Sequence, residues 1–219
     1  MQLELISFKL CPFAQRAIIV LNSCNIDYKI SYINPMDPPA WFKKISPTLQ
    51  VPLLKADDTP IFESMVINEF INEISPKNLH PDDAIKAANN RSWIVFSSAM
   101  LGNMFDIVTG DEQKFIAAKT QLLQSFDKVL AAKSAGKFFN GNEFNMIDAA
   151  FAPIFMRIAW INKYTDNALS LAQLPEIKAW SDAILAVPVV KNSADDGLDD
   201  AYLSNIEARK GHLSTLLVD

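Results

Sequence analysis

Up to about residue 75 the chain switches between two hydrophobic periods. Leu3 to Phe8 is a short apolar run, and Tyr28, Ile30 and Tyr32 alternate with Lys29 and Ser31, the period-two pattern of a strand. Between them Ala14, Ala17, Ile18 and Leu21 recur at helical spacing. Ile19 and Val20 widen that stripe until most of the helix must be buried against a sheet. A strand, helix and strand of this length predict a parallel pair joined by a crossover. Val51 to Lys55 and Pro60 to Glu63 then flank the turn sequence Asp57-Asp58-Thr59, which predicts an antiparallel hairpin. The helix that follows carries Val66, Ile67, Phe70, Ile71 and Ile74 on one face and Asn68, Glu69, Asn72 and Glu73 on the other, and stops near Ser75-Pro76. The order β-α-β, then β-β-α, gives a small mixed sheet.

The pattern then breaks. Pro76, Lys77, Asn78, His80, Pro81 and Asp82 set a linker at about 76 to 83. Everything beyond reads helical. Ile85, Ala88, Trp93, Phe96, Met100 and Met104 predict one long helix, and Phe115, Ile116, Leu122, Leu123, Phe126, Val129 and Leu130 predict another, ending at Gly136. Asn145-Met146-Ile147-Asp148 has the spacing of a capping box, with Asp in place of Glu or Gln, opening a third helix through Ala149 to Trp160. A fourth starts at Pro175, runs through Ile177, Trp180 and Ile184 and stops before Pro188, and Leu198 to Arg209 forms a last short helix. The expected organisation is an α/β N-terminal domain over 1–77 and an all-helical C-terminal domain over 84–219.

Composition narrows the function. Half of the 219 residues are apolar, enough for a generous core. The formal charge of −5 and a pI near 5.1 leave no basic face for phosphate backbones, so no nucleic-acid partner is expected. The opening MQLELISFKL lacks an export pattern and no long apolar run approaches a membrane span, so a cytoplasmic protein without stable membrane association is expected. Two cysteines make no disulfide framework, and two histidines, His80 and His212, cannot build a zinc site with them; no metal is expected.

Chemistry concentrates in Cys11-Pro12-Phe13-Ala14-Gln15-Arg16, between the first strand and its helix. With Pro12 as first helical residue, Cys11 is the N-cap, and the free N–H groups of Phe13 and Ala14 point toward its sulfur. Those donors and the positive helix end favour thiolate over thiol. The same spacing also accommodates a buried structural cysteine. Cys24 lies roughly 20 Å further along the helix, beyond disulfide reach, and reads as a packed or edge cysteine. Ala14 stands where a Cys-x-x-Cys motif has its second thiol, so Cys11 works alone and an external thiol must release any mixed disulfide. Arg16, one turn into the helix, reads as a structural salt-bridge partner that could also add positive potential near Cys11.

Val51-Pro52 at a strand start is unusual, because proline lacks a ladder donor. A cis Pro52 would turn Val51 outward, its N–H and C=O available to an extended peptide-like ligand. Glu63-Ser64 ends a strand and opens a helix, where Ser64 can cap and the helix N–H groups can hold a carboxylate.

Together, Cys11-Pro12-Phe13-Ala14, Val51-Pro52, Glu63-Ser64 and Asn145-x-x-Asp148 resemble the cytosolic glutathione transferase superfamily, and the string from Cys11 to Arg16 is most similar to its omega and related cysteine-type classes. The resemblance covers nearly the whole chain, including Leu174-Pro175-Glu176 and Trp180. It implies a thioredoxin-like domain, a linker and an all-helical domain, with glutathione as co-substrate, a small-molecule or glutathionylated-protein acceptor and a homodimer. It implies Cys11 as the catalytic thiol forming a mixed disulfide with glutathione. Phe13 would line the glutathione site, and Val51, in the turn fixed by Pro52, would pair with the cysteinyl backbone. Glu63 would hold the γ-glutamyl ammonium and Ser64 its carboxylate. The capping box is matched to folding, without chemistry.

One position departs from that pattern. Where related sequences carry a lysine for the glycyl carboxylate, three residues before Pro39, this chain has Met36; Lys43 and Lys44 are nearby but read as solvated helix lysines. The activity implied first is a glutathione-dependent thiol transfer or reduction, of the dehydroascorbate-reductase type. Conjugation of glutathione to electrophiles ranks below it, because Ser7 and Tyr28 are the only nearby hydroxyls in this region and neither stands at the helix start. The string from Cys11 also resembles the chloride intracellular channel proteins, but Ala14 to Ile33 contains Gln15, Arg16, Asn22, Asn25, Asp27 and Lys29, costly for spontaneous spanning. A non-enzymatic accessory member of the fold is the remaining alternative. Among the inward aromatic and methionine positions, Trp93, Phe96, Met100, Met104 and Trp160, those facing the sheet domain could wall a second-substrate site.

Overall fold

The computed structural model describes residues 1–218. Four short strands, β1 (Leu3–Ser7), β2 (Lys29–Tyr32), β3 (Leu53–Ala56) and β4 (Thr59–Phe62), form one mixed sheet in the order β2-β1-β3-β4. Helix α1 (Pro12–Ser23) crosses between β1 and β2, which run parallel with Leu5 beside Ile30. The β3–β4 hairpin is antiparallel, with Leu53 beside Phe62. Its turn is made by Asp57 at φ 51°, a left-handed conformation that a short polar side chain tolerates.

Strand alternation divides the apolar residues between two faces. Leu5 and Leu54 join the main core under α1 and α3 (Ser64–Ile74), while Ile6 and Leu53 face the other way and close over Phe42 of the six-residue α2 (Ala40–Ile45). On α3 the buried stripe is Ser64, Ile67, Asn68 and Ile71, an i, i+3, i+4, i+7 row rotated from the face that the apolar residues predict. Asn68 is therefore buried and Val66 exposed.

The helical region follows: α4 (Ala84–Thr109), α5 (Glu112–Ala132), α6 (Met146–Tyr164), α7 (Pro175–Leu185), α8 (Pro188–Lys191), α9 (Leu198–Arg209) and a 3-10 turn at His212–Leu216. α5 ends at Ala132, four residues short of Gly136. α8 and the 3-10 turn have too few residues to show a period. The core centres on α6. Phe126 stacks on Phe155 at 5.5 Å, and the Trp180 ring meets Phe151 and Phe155 at 4.9 and 5.0 Å. The capping box forms as predicted: Asn145 caps Ile147 N–H, and the Asp148 carboxylate accepts from the Asn145 N–H at 3.0 Å. Asp148 also accepts from the Phe139 N–H at 3.0 Å and from the Trp180 indole at 2.7 Å, tying α6 to α7.

α1 is enclosed. It packs on α3 on one side and on α6 and α8 on the other, and only Pro12, Phe13, Ile18 and Asn22 of its twelve residues escape full burial. Between α3 and α4, Glu69 is clamped by His80 at 3.0 Å and by the Arg91 guanidinium at 2.9 and 2.8 Å.

Candidate active site

Cys11 is the N-cap of α1 and Pro12 its first residue. The sulfur accepts the Ala14 N–H at 3.4 Å and donates to the Val51 carbonyl at 3.5 Å, and the Val51–Pro52 bond is cis. The Val51 carbonyl therefore has a partner within the chain. Cys11, Phe13 and Val51 meet at one cavity of about 540 Å³. Pro52 lies buried behind Val51.

Glu63 and Ser64 do not line that cavity; the β3–β4 register places them across from Pro52 at the adjoining edge of the sheet. The N-cap of α3 is Glu63, at φ 69°, and Ser64 is the first helical residue; no side chain caps this helix, so the expected Ser64 cap is not formed. The uncapped N–H groups remain available to an anion. Met36 is exposed, as are Lys43 and Lys44 on α2. Cys24 is the buried C-cap residue of α1.

Two buried guanidinium groups stand behind the thiol. Arg157, from α6, donates to the Leu10 carbonyl at 2.9 Å and to the Gln15 side-chain oxygen at 2.7 Å, gripping the chain on both sides of Cys11, and to its own Pro153 carbonyl at 3.0 Å. Arg16 is fully buried, but it forms no salt bridge among the described residues. Its donors go to Ala150 O at 2.8 Å, Ser98 Oγ at 3.0 Å and Ser97 Oγ at 2.7 Å, so neutral oxygens replace the carboxylate that the sequence suggested. Burial pulls the Arg16 guanidinium down to about 9, which leaves it charged at neutral pH.

The electrostatics at Cys11 reverse the expectation drawn from the helix start. Burial pushes the thiol above its ordinary 9.0; the Ala14 and Phe13 amides and the charges of Arg157 and Arg16 pull it back only in part.

Phe8, Leu10, Pro12, Pro35, Leu49 and Gln50 complete the sheet side of the cavity, and the helical region supplies the remainder. Leu101, Met104, Phe105 and Val108 of α4 form an apolar wall that ends at Thr109, and Tyr202, Asn205 and Arg209 of α9 line the same space with Arg157 of α6. Met104 is the one member of the five inward aromatic and methionine positions that reaches this cavity. Ser7 and Tyr28 do not line it: Ser7 bonds the Phe8 carbonyl and Tyr28 the Asn22 side chain. Arg157 escaped the sequence reading although it is the sole charge between Ala149 and Trp160, a signal that could have found it. The α9 residues carried none, because a short helix with charges on every side has no marked face.

The same architecture recurs in known proteins. Residues 10–74 match the glutathione S-transferase N-terminal domain and residues 87–188 the glutathione S-transferase C-terminal domain. Glutathione S-transferase omega-1 of Sus scrofa is 28% identical over 211 residues, covering 91% of this chain and 85% of that protein. The omega-1 protein of Rattus norvegicus is 30% identical over 198 residues, covering 87% and 80%. The structure of glutathione transferase Omega 3C from Trametes versicolor superposes with a TM-score of 0.77 at 22% identity over 90% of each chain, which speaks for the fold. A thiol at the start of the first helix, beside a cis Val-Pro turn and under a helical lobe, is thus set in a chain that belongs to the glutathione S-transferase family, omega-like in its relatives.

Proposed function

We propose that this family member is a glutathione-dependent thiol transferase or reductase in which Cys11 carries a mixed disulfide with glutathione. The observation that carries the reading is the position of the Cys11 sulfur, at the N-cap of α1, 3.4 Å from the Ala14 N–H and open to the cavity. In the reaction Cys11 loses its proton to solvent and the thiolate attacks the glutathionyl sulfur of an acceptor mixed disulfide. The S–S bond breaks, and the acceptor leaves as a thiolate that takes up a proton. The thiolate of a second glutathione attacks the Cys11 adduct, releasing oxidised glutathione and the Cys11 thiolate. A thiolate with a raised pKa is the stronger nucleophile once formed, so the burial that suppresses its population also sharpens its attack.

In this reading residues 1–77 bind glutathione and 84–219 supply the acceptor side. Phe13 packs beside the tripeptide, Val51 and Pro52 present backbone to its cysteinyl unit, and Glu63 with Ser64 and the uncapped start of α3 hold the γ-glutamyl end. The protein works as a cytoplasmic homodimer. The test is intact mass after incubation with oxidised glutathione. One glutathione adduct on the wild type and none on Cys11→Ser supports the thiol transferase. No adduct on the wild type, with turnover of a chloronitrobenzene that survives Cys11→Ser, moves the assignment to conjugation.

A further inference from the structure

The two walls of the cavity differ in a way that specifies the acceptor. Tyr202, Asn205 and Arg209 stand at i, i+3 and i+7 on α9, so their side chains fall on one face of the helix, and all three line the cavity. Each can donate a hydrogen bond. Among the described residues none of the three makes a side-chain hydrogen bond or ion pair: at the other end of α9 the carboxylates of Asp199 and Asp200 are taken by Lys163 and Tyr164, and the exposed Arg209 guanidinium lies over the Phe105 ring at 5.8 Å. Arg157 adds to this side. It is buried, and three hydrogen bonds occupy only part of its five N–H groups. No Asp or Glu lines the cavity.

Beside this row of donors, Leu101, Met104, Phe105 and Val108 of α4 offer nothing polar from their side chains, and the Thr109 hydroxyl at the end of the helix donates to the Phe105 carbonyl at 2.9 Å. A ligand that satisfies both walls has a flat apolar body and an anionic group on one edge. The donors and the thiol open onto one space, because Cys11 lines the same cavity. We propose that the acceptor is an aromatic or similarly flat apolar molecule bearing a carboxylate, its ring against α4 and its anion against Arg209, Asn205 and Tyr202, with Arg209 setting the preference. This rests on the thiol transferase reading for the reaction, but the preference itself is a property of binding. The arginine fork suits a planar carboxylate, and its place over the Phe105 ring, 5.8 Å from the centroid, sets it at the edge of the apolar wall where the ligand ring ends.

The test compares two ligand pairs that differ only in charge. The first pair is unreactive: the thioethers S-(4-carboxyphenyl)glutathione and S-(4-carbamoylphenyl)glutathione, titrated by calorimetry into wild type, Arg209→Gln and Arg209→Lys. The second pair is the corresponding mixed disulfides of glutathione with the two arenethiols, read as kcat/KM. The expected result is that the wild type prefers the carboxylate thioether by about tenfold, as befits one charge-assisted contact. Arg209→Gln brings that ratio near one, Arg209→Lys restores part of it, and the ratio shrinks as salt is raised. Equal binding of both thioethers by the wild type, binding of neither, or a ratio untouched by Arg209→Gln overturns the proposal. Preferential binding of the carboxylate thioether without turnover of either disulfide leaves the acceptor assignment standing and overturns the thiol transferase reading instead.

Discussion

The sheet side and the helical side of the cavity are built on different principles. On the sheet side position is fixed by backbone: a helix cap places Cys11, a turn places Val51, and the side chains add little that the main chain has not settled. On the helical side five residues of α4, Arg157 of α6 and three residues of α9 reach the cavity only because three helices are rotated to face it. The sheet side can therefore be specified by a few residues close in sequence. The helical side depends on packing throughout the bundle, and can change its chemistry without disturbing the reacting atom.

The sharpest way to break this comparison is Cys11→Ser. It should lower thiol transfer by about a thousandfold or more while leaving the thermal midpoint within a degree or two, because one sulfur is exchanged for an oxygen at a half-buried cap. Activity assays beside calorimetry check both halves of that statement. Arg157→Met comes next, since Arg157 joins the two sides. Losing its hydrogen bonds to Leu10, Gln15 and Pro153 should cost about 3 kcal/mol and lower the midpoint by about 10 °C. If the two sides were independent, the same change would leave the sheet side's hydrogen-exchange protection intact.

Protonation gives a smaller effect. Because burial pushes the Cys11 thiol up, alkylation by iodoacetamide should keep accelerating as pH rises past 9.0, and Arg157→Met, which removes a nearby positive charge, should move that rise to still higher pH. At Glu69, partial burial pushes the carboxyl up, but hydrogen bonds from His80 and Arg91 outweigh it and hold the group down at about 2. Its pairing therefore stabilises the fold fully above pH 4.5, and that stability is lost as pH falls from 4.5 toward 2. Screening at this partly exposed pair limits the contribution to about 1 kcal/mol, which Glu69→Gln should remove in urea titrations at pH 6, the difference between the two proteins shrinking as pH falls from 4.5 toward 2. Smallest of all, Phe105→Ala on the exposed part of the apolar wall should shift stability by less than about 0.5 kcal/mol while raising KM for apolar acceptors.

What the sequence made legible follows the same division. The parallel crossover, the antiparallel hairpin, the capping box at Asn145 and the N-cap at Cys11 were all readable, because each follows from the pattern of one segment of chain. The burial of Asn68 and the exposure of Val66 were not, because α3 turns its face to α1 rather than along its own apolar row. The direction of the Cys11 shift was missed for a related reason. The helix start that favours a thiolate is local and visible, whereas the enclosure that opposes it is assembled from segments far apart in the chain. Arg16 suggested an ion pair, and the backbone of α6 with two serines of α4 met it instead.

The enclosure of α1 bears on how such chains can be recombined. The helix that carries Cys11 shares its hydrogen bonds with the far half of the chain, through Arg16 to positions 97, 98 and 150 and through Gln15 and Leu10 to position 157. A crossover at the linker, joining this sheet half to a relative's helical half, exchanges every one of those partners at once. Chimaeras are therefore expected to be productive where the donor supplies hydroxyls at 97 and 98 and an arginine at 157, and to unfold where it does not, whatever the match at the linker itself.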